Sequence, residues 1–203
     1  MPQDASAPKG RIIQPQVQTL RNLLDKHCIP LCCAPEELPR LLQLLIAPPQ
    51  LIITDSQVFA QVEKLTPPET KLTSFSVLMA RHKGDIDAFR SGAQALLALP
   101  PTACVLIAEA CSHIPQNEDI GRVKLPRLLR KKLGEDLRID VVGGNDFPED
   151  LTGYDIVIHC GACMFNRRTV LSRVRQAKAQ GVPITNYGIA IAALTGILDR
   201  VVI

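Results

Sequence analysis

The sequence predicts an α/β chain of two small domains, each a mostly parallel β-sheet flanked by helices. Three observations predict it. Short apolar runs alternate with segments of helical periodicity along the whole chain, the pattern of parallel sheets covered on both faces. The runs Leu51–Thr54, Cys104–Ala108 and Tyr154–Ile158 have the length and apolar character of strands buried on both faces. Pro100 and Pro101 punctuate the middle of the chain, dividing it into a tail over 1–11, a first domain over 12–99 and a second over 100–203.

The elements follow in order. Met1 to Arg11 is polar, holds Pro2, Pro8 and Gly10, and reads as a linker; opening in mid-linker suggests an excised fragment. Pro15 to His27 sets Val17, Leu20, Leu23 and Leu24 at helical spacing, and Pro15 suits a helix start. Ile29–Cys33 reads as a short strand, and Pro35 opens a helix carrying Leu38, Leu41, Leu42 and Leu45. After Leu51–Thr54, Asp55 or Ser56 caps a third helix. Leu72 to Leu78 begins strand-like and breaks at Ala80–Gly84. Asp85 caps a helix to about Leu99, which the pattern leaves assignable to either domain. In the second half, Cys104–Ala108, Leu137–Val142, Tyr154–Ile158 and Val182–Thr185 read as strands. Helices are expected over 120–133, with Pro126 near the first turn, over 166–180, closed by Gly181, and over 187–199.

Composition narrows the function. At 46% hydrophobic and 21% charged, the 203-residue chain is globular rather than disordered. Aromatic content of 3% without Trp leaves base-stacking platforms nearly absent, so nucleic acid is not an expected partner. No apolar run approaches the roughly 20 residues of a membrane helix, and no membrane partner is expected. Met1–Asp4 begins no signal sequence, which points to the cytoplasm. The chain has no Gly-x4-Gly-Lys-Ser/Thr phosphate loop, no Gly-x-Gly-x-x-Gly and no evident Ser/His/Asp arrangement. No catalytic residue is assigned, and the chain is not expected to be an enzyme by itself.

Seven cysteines in such a chain do not read as a disulfide framework. Cys28, Cys32, Cys33 and Cys104 lie in or beside apolar runs, where small buried hydrophobes are expected. Cys111, Cys160 and Cys163 lie at turns after two candidate strands, and parallel sheets bind ligands beyond the carboxyl ends of their strands. Thiolates select iron-sulfur clusters, zinc or copper(I). Three thiolates hold three corners of a 4Fe-4S cluster, with His159, His113 and Glu109 as candidates for the fourth position. Three thiolates plus an imidazole close a zinc site, giving a zinc-stabilised interaction module. Cys160-Gly161-Ala162-Cys163 at a strand-to-helix turn also fits a dithiol oxidoreductase. Arg122, Lys124, Arg127, Arg130, Lys131 and Lys132 make a basic helix over 122–132, either a solvated face or a dock for an acidic partner.

Several motifs occur together in one order. They are Glu109-Ala110-Cys111-Ser112-His113, Asp119 to Pro126, His159-Cys160-Gly161-Ala162-Cys163-Met164 and Val182 to Gly188. The first half adds Ala7-Pro8-Lys9-Gly10-Arg11, Pro15 to Thr19, Thr54 to Phe59 and Leu72 to Ser76. Together they resemble the HydF family, the scaffold GTPases that mature iron-iron hydrogenase, over nearly the whole chain. The resemblance implies a homodimerisation domain at 12–99 and a cluster-binding domain at 100–203. It also implies a GTPase domain preceding them in the full-length protein. It implies a 4Fe-4S cluster on Cys111, Cys160 and Cys163. A two-iron subcluster precursor would come from radical-SAM maturases and go to apo-hydrogenase. Ile114 departs from the family pattern, in which many relatives carry a second histidine after His113.

Overall fold

The computed structural model describes residues 1–2, 10, 12–110 and 119–203. Most of the linker, and with it Cys111 and His113, lies outside the described residues. Within them the architecture is α/β, with two parallel sheets. β1 (Leu51–Thr54) pairs with β2 (Lys71–Ser74). β3 (Cys104–Ala108), β4 (Arg138–Val142), β5 (Ile156–His159) and β6 (Ile184–Asn186) form the second sheet, in the order β4-β3-β5-β6. Val105 to Ala108 and Ile156 to Ile158 are fully buried, so their continuous apolar character reflects cover on both faces.

The helices of the first half are α1 (Gln14–Asp25), α2 (Leu38–Leu44), α3 (Phe59–Leu65) and α4 (Phe75–Lys83). Those that follow are α5 (Ile86–Leu97), α6 (Leu125–Leu133), α7 (Arg167–Ala179) and α8 (Tyr187–Leu194). Every residue of α8 is buried, as its Ala, Ile and Leu content requires. α5, which the sequence left assignable to either side, packs on β6 and α8. Gly92 permits this, because a Cβ there would lie 2.1 Å from the Ile184 carbonyl oxygen. Thr185 Oγ1 donates to the Phe89 carbonyl at 2.8 Å across the same contact.

The two sheets share a core. Leu38, Phe59, Leu72 and Val77 from the first half pack in one cluster with Val157, Val174, Ile189 and Val201 from the second. The end of the chain returns to the first sheet. Val201 bridges Leu72 in parallel, and the Val202 N–H donates to the Leu72 carbonyl at 2.8 Å. β2 is thereby flanked by β1 on one side and the chain end on the other, which leaves the outer edge of β1 without a strand among the described residues.

Five expectations are corrected. Leu72 to Leu78 is not one strand: β2 stops at Ser74, whose hydroxyl accepts the Val77 N–H at 3.2 Å and caps α4. The last helix ends at Leu194, where Gly196 adopts φ +76°. The helix expected over 120–133 opens with a wide turn, Ile120–Lys124, before α6. Ile29–Cys33 forms no strand, because a strand needs a ladder partner and none pairs with it among the described residues. Ile29 is 89% exposed, and Cys28 and Cys32 are exposed rather than buried.

This last region is apolar and open. α1 buries Gln16 and Thr19, leaves Val17 and Leu24 exposed and half-buries Leu20 and Leu23, so its expected apolar stripe is only partly covered. Leu31, Leu44 and Ile46 are exposed nearby in sequence, and a cavity of about 720 Å³ opens among Leu20, Leu23, Ile29, Leu42 and Phe75. Contiguous exposed apolar surface of this kind marks contact with another chain. The double substitution Ile29→Glu with Leu31→Glu should weaken self-association at least tenfold, about 1.4 kcal/mol. Sedimentation equilibrium measures the change, and the far-UV circular dichroism should stay as it is.

Candidate metal centre

The parallel register of β3 and β5 builds the centre. Val105 stands beside Ile156 and Ala108 beside His159. The Cys160 N–H continues the ladder to the Ala108 carbonyl at 2.9 Å, and the Glu109 N–H reaches Val142 of β4 at 2.8 Å. The residues leaving β3 are thus held between β4 and β5, beside Cys160. The Ala110 N–H donates to Cys160 Sγ at 3.0 Å, and the Ala162 N–H approaches it at 3.4 Å. Backbone donors aimed at a sulfur suit a metal-bound thiolate or a cluster.

The Cys160–Cys163 turn needs an unusual backbone. Ala162 adopts φ +51°, which costs a residue with a Cβ about 1–2 kcal/mol. Lys83, at the end of α4, holds the turn. Its ammonium donates to the carbonyls of Ala162 at 2.8 Å, Cys163 at 3.1 Å and Phe165 at 3.0 Å. Those bonds match the three donors of an ammonium. Arg167 adds a bond from the start of α7 to the His82 carbonyl. Cys163 is half-buried and unoxidised, and its thiol makes no hydrogen bond among the described residues.

His159 is 1% exposed. Arg173 NH1 lies 3.0 Å from Nε2, and the Cys160 carbonyl oxygen 2.8 Å from Nδ1. A guanidinium only donates, which assigns the proton to Nδ1 and makes Nε2 the acceptor. Burial pushes the His159 pKa down to about 4, and the neighbouring Arg173 cation adds to the effect. The imidazole is therefore neutral at pH 7 with both nitrogens engaged, and would ligate a metal only by releasing one partner.

Glu109 is 3% exposed at the end of β3, with Arg122 Nε and NH2 each 3.1 Å from its Oε2. Gly121 makes room for it, since a Cβ there would lie 2.6 Å from Glu109 Oε1. Of the basic helix, Arg122 thus turns toward the centre, and Lys124 reaches Gln57 at 2.8 Å. Arg127, Lys131 and Lys132 are exposed.

Cys160, Cys163 and Glu109 therefore lie where the sequence puts them, beyond the carboxyl ends of β3 and β5, and His159 is the last residue of β5. Among the described residues no group of three or more His, Cys, Asp or Glu converges. Two thiols on one turn with backbone donors on the first sulfur fit part of a thiolate-ligated group. Asn186, within the Val182 to Gly188 motif that the sequence marked, sets its Nδ2 3.4 Å from the Cys160 carbonyl, whereas Lys83 and Arg173 escaped the sequence reading. No local pattern marks them, because each reaches the centre from a distant element.

Two family models match the chain. Residues 1–84 match the hydrogen maturase F dimerization domain, and residues 87–203 match the hydrogen maturase F tetramerization domain. The chain belongs to the hydrogen maturase F family. Both halves are association domains of that family, so self-association extends beyond the first half, where the sequence placed it. The matches meet at the start of α5. A comparison with curated proteins finds no match. Among the described residues no helix is long and apolar enough to cross a membrane.

Removing the Lys83 clamp should free the turn. Lys83→Met leaves three carbonyls without their donor and should lower stability by about 1–3 kcal/mol. It should also speed Cys163 alkylation several-fold in the metal-free chain, as read by mass spectrometry after iodoacetamide. His159 predicts a pH dependence. Its folded pKa of about 4 lies below the ordinary 6.5, so the unfolded chain binds more protons between those values. Stability of the metal-free chain should fall as pH drops through that window, by on the order of 3 kcal/mol in total. Urea titrations at pH 7 and pH 4.5 measure the loss, and His159→Gln should flatten it.

Proposed function

We propose that this chain is the association and cluster-carrying part of a hydrogenase-maturation scaffold. In this reading Cys111, Cys160 and Cys163 hold a 4Fe-4S cluster and leave its fourth position exchangeable. One observation carries the reading beyond family membership: the Ala110 N–H sits on Cys160 Sγ, and Cys111 is the next residue of the chain. The β3–β5 register thus brings the chain to the Cys160 turn one residue before the third cysteine. Glu109 and His113 stand ahead of His159 for the fourth position, because both His159 nitrogens already have partners.

When bound, a cluster held by three thiolates presents one iron whose outer ligand exchanges, and a two-iron precursor can dock there and leave. The residues of this chain supply the rest. Cys160 and Cys163 grip from one turn, Lys83 fixes the turn's carbonyls, and Glu109 keeps a carboxylate poised at the strand end. The partners in this reading are a GTPase domain of the same protein, radical-SAM maturases that supply the precursor and the apo-hydrogenase that receives it, all in the cytoplasm. The chain carries cargo and performs no catalysis itself.

Anaerobic reconstitution with iron and sulfide tests the proposal. The expected product is a brown protein with iron and sulfide in equal amounts. Cys111→Ala, Cys160→Ala and Cys163→Ala should each lose most of that iron, while Cys104→Ala keeps it. A chain that retains zinc instead would be an interaction module. A colourless chain that catalyses disulfide exchange would be an oxidoreductase.

A further inference from the structure

Arg173 is a charge that the fold alone does not explain. It lies within α7 and is 6% exposed, where its buried helix neighbours Val170, Val174 and Ala177 are apolar. Its guanidinium carbon sits 4.6 Å from the Phe147 ring centroid and 4.8 Å from that of Phe165. One arm donates to His159 Nε2, and the other to the Gly144 carbonyl. No carboxylate pairs with it among the described residues. Burial lowers its pKa, and Cys160 acts in the opposite direction. A guanidinium nonetheless remains cationic near neutral pH.

A buried cation surrounded only by neutral groups is unfavourable unless an anion lies within reach. The surroundings of Arg173 point toward one place. Phe147 belongs to the loop after β4, and Phe165 follows the Cys160–Cys163 turn. His159 bridges the guanidinium to the Cys160 carbonyl. The same side chain therefore orients Cys160 through His159 and sets a buried positive charge within electrostatic reach of the Cys160 thiol, where water screens it poorly.

We propose that Arg173 is a positioning residue and the fixed counter-charge of the anionic group bound at Cys160 and Cys163. The proposal rests on the cluster reading above and adds a role for a residue outside the ligand set. A thiolate-bound cluster becomes more negative on reduction, so a fixed cation favours the reduced state and raises the reduction potential. A purely structural arginine would leave the potential where it is.

The test is a potentiometric titration of the reconstituted full chain, followed by electron paramagnetic resonance. Arg173→Gln keeps a donor toward His159 and removes the charge. It should lower the reduced-to-oxidised ratio at a fixed potential roughly tenfold, about 59 mV for a one-electron couple. Arg173→Lys keeps the charge and should stay within roughly twofold of the wild type. Phe147→Leu keeps the cation and admits water, so its ratio should fall between those of the wild type and Arg173→Gln. Full iron content with a wild-type ratio in Arg173→Gln overturns the proposal. Should that variant fail to fold or bind iron, a wild-type ratio in Phe147→Leu overturns it instead. A wild-type chain that takes up no iron overturns the cluster reading and this proposal together.

Discussion

The parallel pairing of β3 with β5 is the constraint on which the centre depends. It aligns Ala108 with His159 and lets Cys160 extend the ladder by one bond. A one-residue slip would turn Cys160 to the opposite face and move Ala110 off its sulfur. The register is held by packing, since Val105, Leu106, Ile107, Ile156, Val157 and Ile158 are all buried. The chemistry at the strand ends therefore borrows its precision from aliphatic side chains that take no part in it.

The first half completes the centre rather than merely preceding it. Lys83 ends α4 and holds the Ala162 to Phe165 carbonyls, while Ser76 on the same helix donates to Asn186 Oδ1 at 3.1 Å. The chain end, in turn, docks on β2. An association domain and the candidate centre are thereby joined through one helix and one shared core. The exposed apolar face and the two-cysteine turn belong to one packed body.

The sequence made some of this legible and hid the rest for physical reasons. β3 and β5 were plain because burial on both faces writes an uninterrupted apolar run. The Cys160 turn was plain because its residue types are rare and their spacing is short. Ile29–Cys33 has strand composition but no partner among the described residues, and composition cannot report a missing ladder. The β2–α4 junction was blurred because Leu72 to Leu78 stays largely apolar through a change of period from two to 3.6. Lys83 and Arg173 carry no local signature at all. Each gains its role from contacts 79 and 14 residues away in sequence, and only the fold shows which lysine or arginine is the special one.

In the proposed reading the strand ends bring three cysteines to one iron-sulfur group. An anomalous difference map at the iron absorption edge, from a crystal grown without oxygen after reconstitution, tests it most directly. The expected result is one compact peak within bonding distance of the sulfurs of Cys111, Cys160 and Cys163, with His159 still bonded to Arg173. A peak bound by Cys160 and Cys163 without Cys111, or no iron peak at the turn, would contradict it.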